Sequence, residues 1–168
     1  MRSRISFIFV EIKCPEKMSP LFKKLYLKDQ EKLLIVQEPE FIRKEVKKLP
    51  ENVKVIKRID QRNPVSFAMI FVQHVAQIEK LLPRVDNALK DDGILWLAFP
   101  KHTSKRYPGD ISRKHPIWEM FPQYGYRAVT NLNLNTDWNA VRYRRERYIK
   151  RSSQDDTRQK TESDLKTV

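Results

Sequence analysis

The sequence predicts an α/β fold: one doubly wound, Rossmann-like sheet, mostly parallel, of about six strands in the order 2-1-3-4-6-5, ending in an antiparallel hairpin. Three features predict it. Short apolar runs alternate with stretches whose apolar residues recur three or four apart. Several of those runs are apolar throughout, as strands covered by helices on both faces must be. The last two strand-like segments are joined by a short Asn-Thr-Asp turn. A chain of 168 residues fits one such domain with a full core.

The elements follow in order. PLFKKLYLKDQ (20–30) mixes Leu21, Phe22, Leu25 and Leu27 with lysines, the pattern of a short helix or lead-in packed on the sheet. KLLIVQEP (32–39) is a buried strand stopped by proline, and EFIRKEVKKLP (40–50) is a helix ended by Pro50. VKVIKRI (53–59) alternates apolar with basic residues, so this second strand has a wet face or edge. Residues 57–66 must then recross the sheet without a helix; ten residues reach about 33 Å at roughly 3.3 Å each. SFAMIFV (66–72) is the third strand. From His74 to Lys90 a stripe of Val75, Ile78, Leu82, Val85 and Leu89 predicts a helix that Pro83 breaks into two pieces or kinks.

Gly93 is expected to stop that helix before the fourth strand, ILWLAFP (94–100). Asp110 is expected to cap a helix running from Ser112 to about Gln123, interrupted near Pro116, with Gly125 past its end. YRAVTNLNL and WNAVRYRR form the closing hairpin. The domain so defined spans residues 18–150. Residues 151–168 are polar and charged and are expected to be a disordered tail. Residues 1–17 read as an extension ahead of a domain that begins at Met18, with an edge strand through Ile5, Phe7 and Phe9 as the alternative.

Cys14 is the only cysteine, so no internal disulfide can form and no zinc-like spacing exists with His74, His102 or His115. The apolar run Ile5–Val10 is too short for a secretion signal or a membrane span. A cytoplasmic location without membrane contact is the expectation. The formal net charge of +13 raises nucleic acid or another anionic partner. Its densest patch is Arg142, Arg144, Arg145, Arg147, Lys150 and Arg151, interleaved with Tyr143 and Tyr148. That patch is read either as a solvated strand end and tail or as a salt-sensitive phosphate contact.

Open sheets of this kind bind ligands beyond the carboxyl ends of their strands, where the strand order reverses. The rim there is expected to hold Glu38, Glu40, His74, Lys101, Asp137 and Trp138. Lys101 has two readings: an anion-binding or basic ammonium, or a partner of Asp137 that ties the hairpin to strand four. His74 is an acid–base group or a polar helix cap. Trp96 and Trp138 are expected in the core and rim, and Trp118 on the buried face of its helix. No Walker loop, G-x-S-x-G elbow, H-E-x-x-H or paired-cysteine motif is present, and no metal is expected. The turn after strand one is VQEPEF, with proline and carboxylates where a dinucleotide fold has glycines, so no cofactor is expected first. S-adenosylmethionine, which carries no phosphate, is the alternative, with Asp60 addressing its ribose.

FKKLYLKD (22–29), the Pro-Glu-Phe after strand one (39–41), IFV (70–72), LKDDGILWLAFPK (89–101), Asp110 and TDWNAVRYR (136–144) occur in the order seen in a family of small bacterial proteins of unknown function. That family looks like compact, degenerate relatives of class I methyltransferases, lacking a helix-strand-helix portion between strands two and three and the methyl-donor loop. The resemblance spans about residues 18–147, with Phe99 where the family often has tryptophan, and it carries no catalytic residue over. The leading expectation is therefore a non-catalytic Rossmann-like binding or interaction domain. A reduced S-adenosylmethionine-dependent methyltransferase and a nucleic-acid-binding protein using the basic C-terminal strand are the alternatives.

Overall fold

The computed structural model describes residues 18–150. The readings of residues 1–17 and 151–168, Arg151 among them, lie outside the described residues. Helix α1 (Pro20–Lys24) leads into strand β1 (Lys32–Val36), helix α2 (Glu40–Val46) and the short strand β2 (Lys54–Ile56). Strand β3 (Val65–Phe71), helix α3 (Val75–Ala88) and strand β4 (Leu89–Pro100) follow. A 3-10 turn (Pro116–Glu119) joins helix α4 (Met120–Gln123), and strands β5 (Tyr126–Asn133) and β6 (Trp138–Arg145) close the sheet.

The six strands lie in the order β2-β1-β3-β4-β6-β5, as the sequence predicts. The β1–β2, β1–β3 and β3–β4 pairs are parallel, whereas β6 runs antiparallel to β4 and to β5. Alternate residues of the central strands feed opposite faces, which is why the runs are apolar throughout. Leu33, Ile35, Phe67, Met69, Phe71, Trp96 and Ala140 pack with Phe22, Leu25 and Ile42 from α1, the segment after it and α2. Leu34, Val36, Ile70, Leu95, Leu97 and Tyr143 pack on the other face with Ile78, Leu82 and Val85 of α3 and with Phe121. Trp96 is fully buried, and its Nε1–H donates to the Leu25 carbonyl at 3.0 Å, so the core keeps no orphan there.

Three sequence expectations are corrected. First, α3 is one continuous helix of 14 residues with Pro83 inside it, so of the two expected outcomes the break into two pieces does not occur. Proline at 83 frees the Glu79 carbonyl, and Glu79 is exposed, so water can satisfy the lost bond. Second, Gly93 does not stop a helix. It lies inside β4, where the pairing with β3 jumps from Val65–Leu89 to Phe67–Ile94. A Cβ at Gly93 would meet the Leu89 side chain at 2.6 Å and the Lys90 carbonyl at 2.9 Å, so this irregularity requires glycine. Third, Asp110 caps no helix of its own. Its Oδ1 accepts from the Val75 N–H at 2.8 Å and so caps α3, while His115 Nδ1 caps the 3-10 turn through Ile117 N–H at 3.0 Å. Gly125 follows α4 at φ 78°.

Candidate functional site

The order reverses between β1 and β3, so the ends of those strands frame the site. Past Val36 the chain turns at Gln37, whose φ of 58° is left-handed. That conformation costs a side-chain-bearing residue on the order of 1 kcal/mol, and is the one glycine ordinarily supplies. Gln37 thus keeps the backbone path of a glycine turn while adding an amide. Pro39, extended at φ −74° and ψ 165°, then directs the chain into α2 at Glu40.

Glu38 is the buried charge of this edge, its side chain only 6% exposed. Its Oε1 lies 2.6 Å from Lys57 Nζ, the first residue past β2, and 3.5 Å from Arg43 Nε on α2. One carboxylate therefore ties the ends of two neighbouring strands and the helix between them. Glu40 is exposed and pairs with Lys44, one helical turn on, at 3.4 Å.

From the β3 side, Gln77 projects from the first turn of α3. Its Oε1 accepts from the Gln73 N–H at 2.7 Å and the His74 N–H at 3.0 Å, filling two donors that a helix start leaves open. Its Nε2 donates to Gln37 Oε1 at 3.1 Å, bridging the ends of β1 and β3 with one amide–amide bond.

The loop after β4 makes the third wall. Lys101 N–H donates to the Asp137 carbonyl at 2.7 Å, and Ser104 Oγ donates to the Asp137 carboxylate at 2.7 Å. The Lys101 ammonium donates to the Asn135 carbonyl at 2.7 Å. Lys101 thus ties the hairpin to β4 through a carbonyl, where the sequence suggested the Asp137 carboxylate. Gly109 brings the loop back against β3: a Cβ there would stand 2.4 Å from the Gln73 carbonyl oxygen. Tyr107 packs on Trp138 with ring centres 5.1 Å apart, and Phe71 meets the same indole edge-on at 5.4 Å.

These three walls enclose a crevice of about 370 Å³. Of the residues expected on the rim, Glu38, Glu40 and Trp138 line it. Lys101 and Asp137 form the joint behind it. His74 is exposed and does not line it; its Nδ1 lies 3.6 Å from Asp110 Oδ1. Gln37, Arg43, Gln77, Arg106 and Tyr107 line it as well and were not read from the sequence. Only Gln77 had a signal, its place three residues after the helix-capping position of His74. Asp60, considered for a ribose, turns into its own loop instead. Its carboxylate accepts from Asn63 Nδ2 at 2.6 Å and Arg62 N–H at 2.9 Å, bonds that hold its pKa below the ordinary value.

Trp138 is 2% exposed, and among the described residues its buried Nε1–H has no acceptor. A buried N–H without a partner costs about 1–3 kcal/mol. The residue that carries this unmet donor is one of those lining the crevice.

The basic strand is arranged differently. Arg144 forms two bonds to Asp92, both 3.1 Å, which raise its pKa further. Arg145 donates to Asp86 and to the Tyr124 carbonyl, each at 2.8 Å, and lies over the Tyr126 ring at 4.6 Å. Burial, then the Asp86 bond, pushes the Tyr126 hydroxyl well above its ordinary range. Arg147 and Tyr148 both engage Asp91. Arg142 covers Tyr26 at 4.5 Å, and burial lowers its pKa. Lys150 is exposed. Among the described residues no cluster of three or more His, Cys, Asp or Glu could hold a metal, and no helix is long and apolar enough to cross a membrane.

No family model matches the sequence, and no curated protein sequence matches it. Solved structures do match. An S-adenosylmethionine-dependent methyltransferase from Aquifex aeolicus aligns at TM-score 0.50 and 16% identity over 74% of this chain and 87% of its own. The ribosomal protein L11 methylase of Lactobacillus delbrueckii subsp. bulgaricus aligns at TM-score 0.50 and 10% identity over 74% of each chain. The fibrillarin pre-rRNA processing protein of Methanococcus jannaschii aligns at TM-score 0.43 and 14% identity over 69% of this chain and 66% of its own. The chain therefore has a Rossmann-like methyltransferase fold, in a build of six strands.

Proposed function

We propose that this chain binds S-adenosylmethionine in the crevice between the ends of β1 and β3 and is a methyltransferase of reduced build. The observation that carries the reading is the unmet Nε1–H donor of Trp138, buried in a residue that lines that crevice and open to an acceptor once a ligand shifts the indole. The left-handed turn at Gln37 supports it, because it supplies, without glycine, the positive φ that a glycine turn ordinarily gives. The methyltransferase fold and the open crevice favour this over the non-catalytic binding domain expected first.

The lining fits the donor's chemistry. Glu38 and Glu40 offer acceptors to an ammonium or to ribose hydroxyls, Arg43 and Arg106 offer donors to a carboxylate, and the Trp138 indole adds one more donor. With no phosphate to hold, a glycine-rich phosphate loop is not required. The chemistry supplied there would be an electrophilic methyl group on a sulfonium. The Gln37–Gln77 bridge is one neutral hydrogen bond, worth about 1 kcal/mol net, so it can open for a ligand at small cost.

Calorimetry with S-adenosylmethionine and S-adenosylhomocysteine tests the proposal. Dissociation constants below about 100 μM, near −5.5 kcal/mol, are expected. Trp138→Phe keeps a ring but removes the donor and should weaken binding about tenfold, while Glu38→Gln removes the buried charge and should weaken it at least as much. Absence of binding by either ligand overturns the proposal, as does affinity unchanged in both variants.

A further inference from the structure

A second concavity adjoins the crevice. It has a volume of about 570 Å³ and shares Gln37 and Gln77 with it, so the amide bridge between those residues is the partition. Its floor is apolar: Val36, Ile59 and Leu81. Arg58, from the segment after β2, forms one wall, and Lys80 and Arg84, one turn apart on α3, face it. No carboxylate lines this groove.

The nearby acids are otherwise committed or directed. Glu38 holds Lys57, and Asp60 is turned into its own loop. Glu79 precedes Lys80 on α3 but is not part of the groove lining. Among the described residues the side chains of Arg58, Lys80 and Arg84 make no hydrogen bond, ion pair or ring contact. Like charges one turn apart on a helix repel by a few tenths of a kcal/mol, and a third cation opposite adds to that. Concave positive charge of this kind concentrates field on an anion that enters.

The position narrows the anion. In doubly wound folds the residues just past the second strand reach a bound ribose; a carboxylate there suits its hydroxyls, whereas arginine suits a phosphate on it. Here that position reads Lys57-Arg58, and only Arg58 is uncommitted. We propose that the groove binds a phosphorylated ribonucleotide, its phosphate held by Arg58, Lys80 and Arg84 and its apolar surface on Ile59 and Leu81. Free nucleotide and single-stranded RNA present the same chemistry. The inference does not depend on what occupies the crevice.

The test is titration at low salt with adenosine 2′,5′-bisphosphate, a single-stranded RNA pentamer and unphosphorylated adenosine. The bisphosphate should bind and adenosine should not, and the affinity should fall with added salt. A variant carrying Arg58→Ala, Lys80→Ala and Arg84→Ala should lose at least about tenfold in affinity. A charge-matched variant with Lys23→Ala, Lys24→Ala and Lys28→Ala should bind as wild type. Lys80→Glu alone, a single exposed substitution, should give the same direction as the groove variant. Pentamer affinity well above that of the bisphosphate assigns the site to RNA, and equal affinity assigns it to the free nucleotide. No binding by either phosphorylated probe, or equal losses in the groove and control variants, overturns the proposal. S-adenosylmethionine affinity, measured on the same groove variant, should stay unchanged, which separates this result from the crevice reading.

Discussion

The two most basic regions of the molecule differ in how their charge is used. The segment from Arg142, on β6, to Arg147, just past it, is the densest basic run in the described chain, yet Arg144, Arg145 and Arg147 each meet an aspartate: Asp92, Asp86 and Asp91. Those aspartates come from the end of α3 and the start of β4, the strand that pairs with β6, so the basic segment is neutralised by its immediate neighbours in the fold. The groove beside α3 draws its cations from two separate stretches of the sequence; Lys57 is held by Glu38, and none of Arg58, Lys80 and Arg84 has a side-chain partner among the described residues. Charge density along a sequence therefore does not locate free positive potential. What decides it is which carboxylates the fold brings within reach, because a paired guanidinium offers little to a diffusing anion.

The largest expected effect comes from breaking the neutralised side. Asp86→Ala leaves Arg145, 19% exposed, without its carboxylate and the Tyr126 hydroxyl without its acceptor. Loss of a fully buried ion pair costs about 3–5 kcal/mol, and partial exposure here reduces that to about 2–3 kcal/mol, read from urea unfolding. Unaltered stability would mean that this strand is not held by its aspartates. A smaller effect sharpens the contrast. Asp91→Asn with Asp92→Asn frees Arg144 and Arg147, and should raise the affinity of the protein for a single-stranded oligonucleotide by about tenfold at low salt, with a steeper salt dependence. The smallest concerns a local pair. Lys48, then Ser19, hold the Glu45 carboxyl below its ordinary pKa of 4.5 by hydrogen bonding. A depressed carboxylate contributes stability above its unfolded pKa and loses it as the pH falls through the folded value. Glu45→Gln should therefore remove at most about 1 kcal/mol at neutral pH and flatten the loss of stability below about pH 4.5.

Strand order was legible because the central runs are apolar on both faces and are bounded by Pro39, Pro64 and Pro100. Local punctuation was less reliable. Gly93 after a helical stripe reads as a helix stop, but its role is the close approach inside β4, which depends on the pairing with β3. Asp110 reads as a local cap, yet it caps α3 from 35 residues away. The rim rule located Glu38, Glu40 and Trp138. It could not find Arg43 or Arg106, since a guanidinium on a helix or loop has no spacing that marks it as ligand-facing, and the spacing of Gln77 from His74 marks it only as a capping residue. The pairing of the basic strand was equally hidden, because Asp86, Asp91 and Asp92 are separated from their arginines by more than fifty residues in sequence.

The crevice claim is tested most directly by side-chain nuclear magnetic resonance of the amide protons of Gln37 and Gln77 and the indole proton of Trp138 during titration with S-adenosylmethionine. The account predicts that the Trp138 indole signal moves as its Nε1–H gains an acceptor, and that both amide signals move as the bridge between β1 and β3 opens. Saturating ligand that leaves all three signals in place, or shifts that fall only on residues outside the crevice, would contradict it.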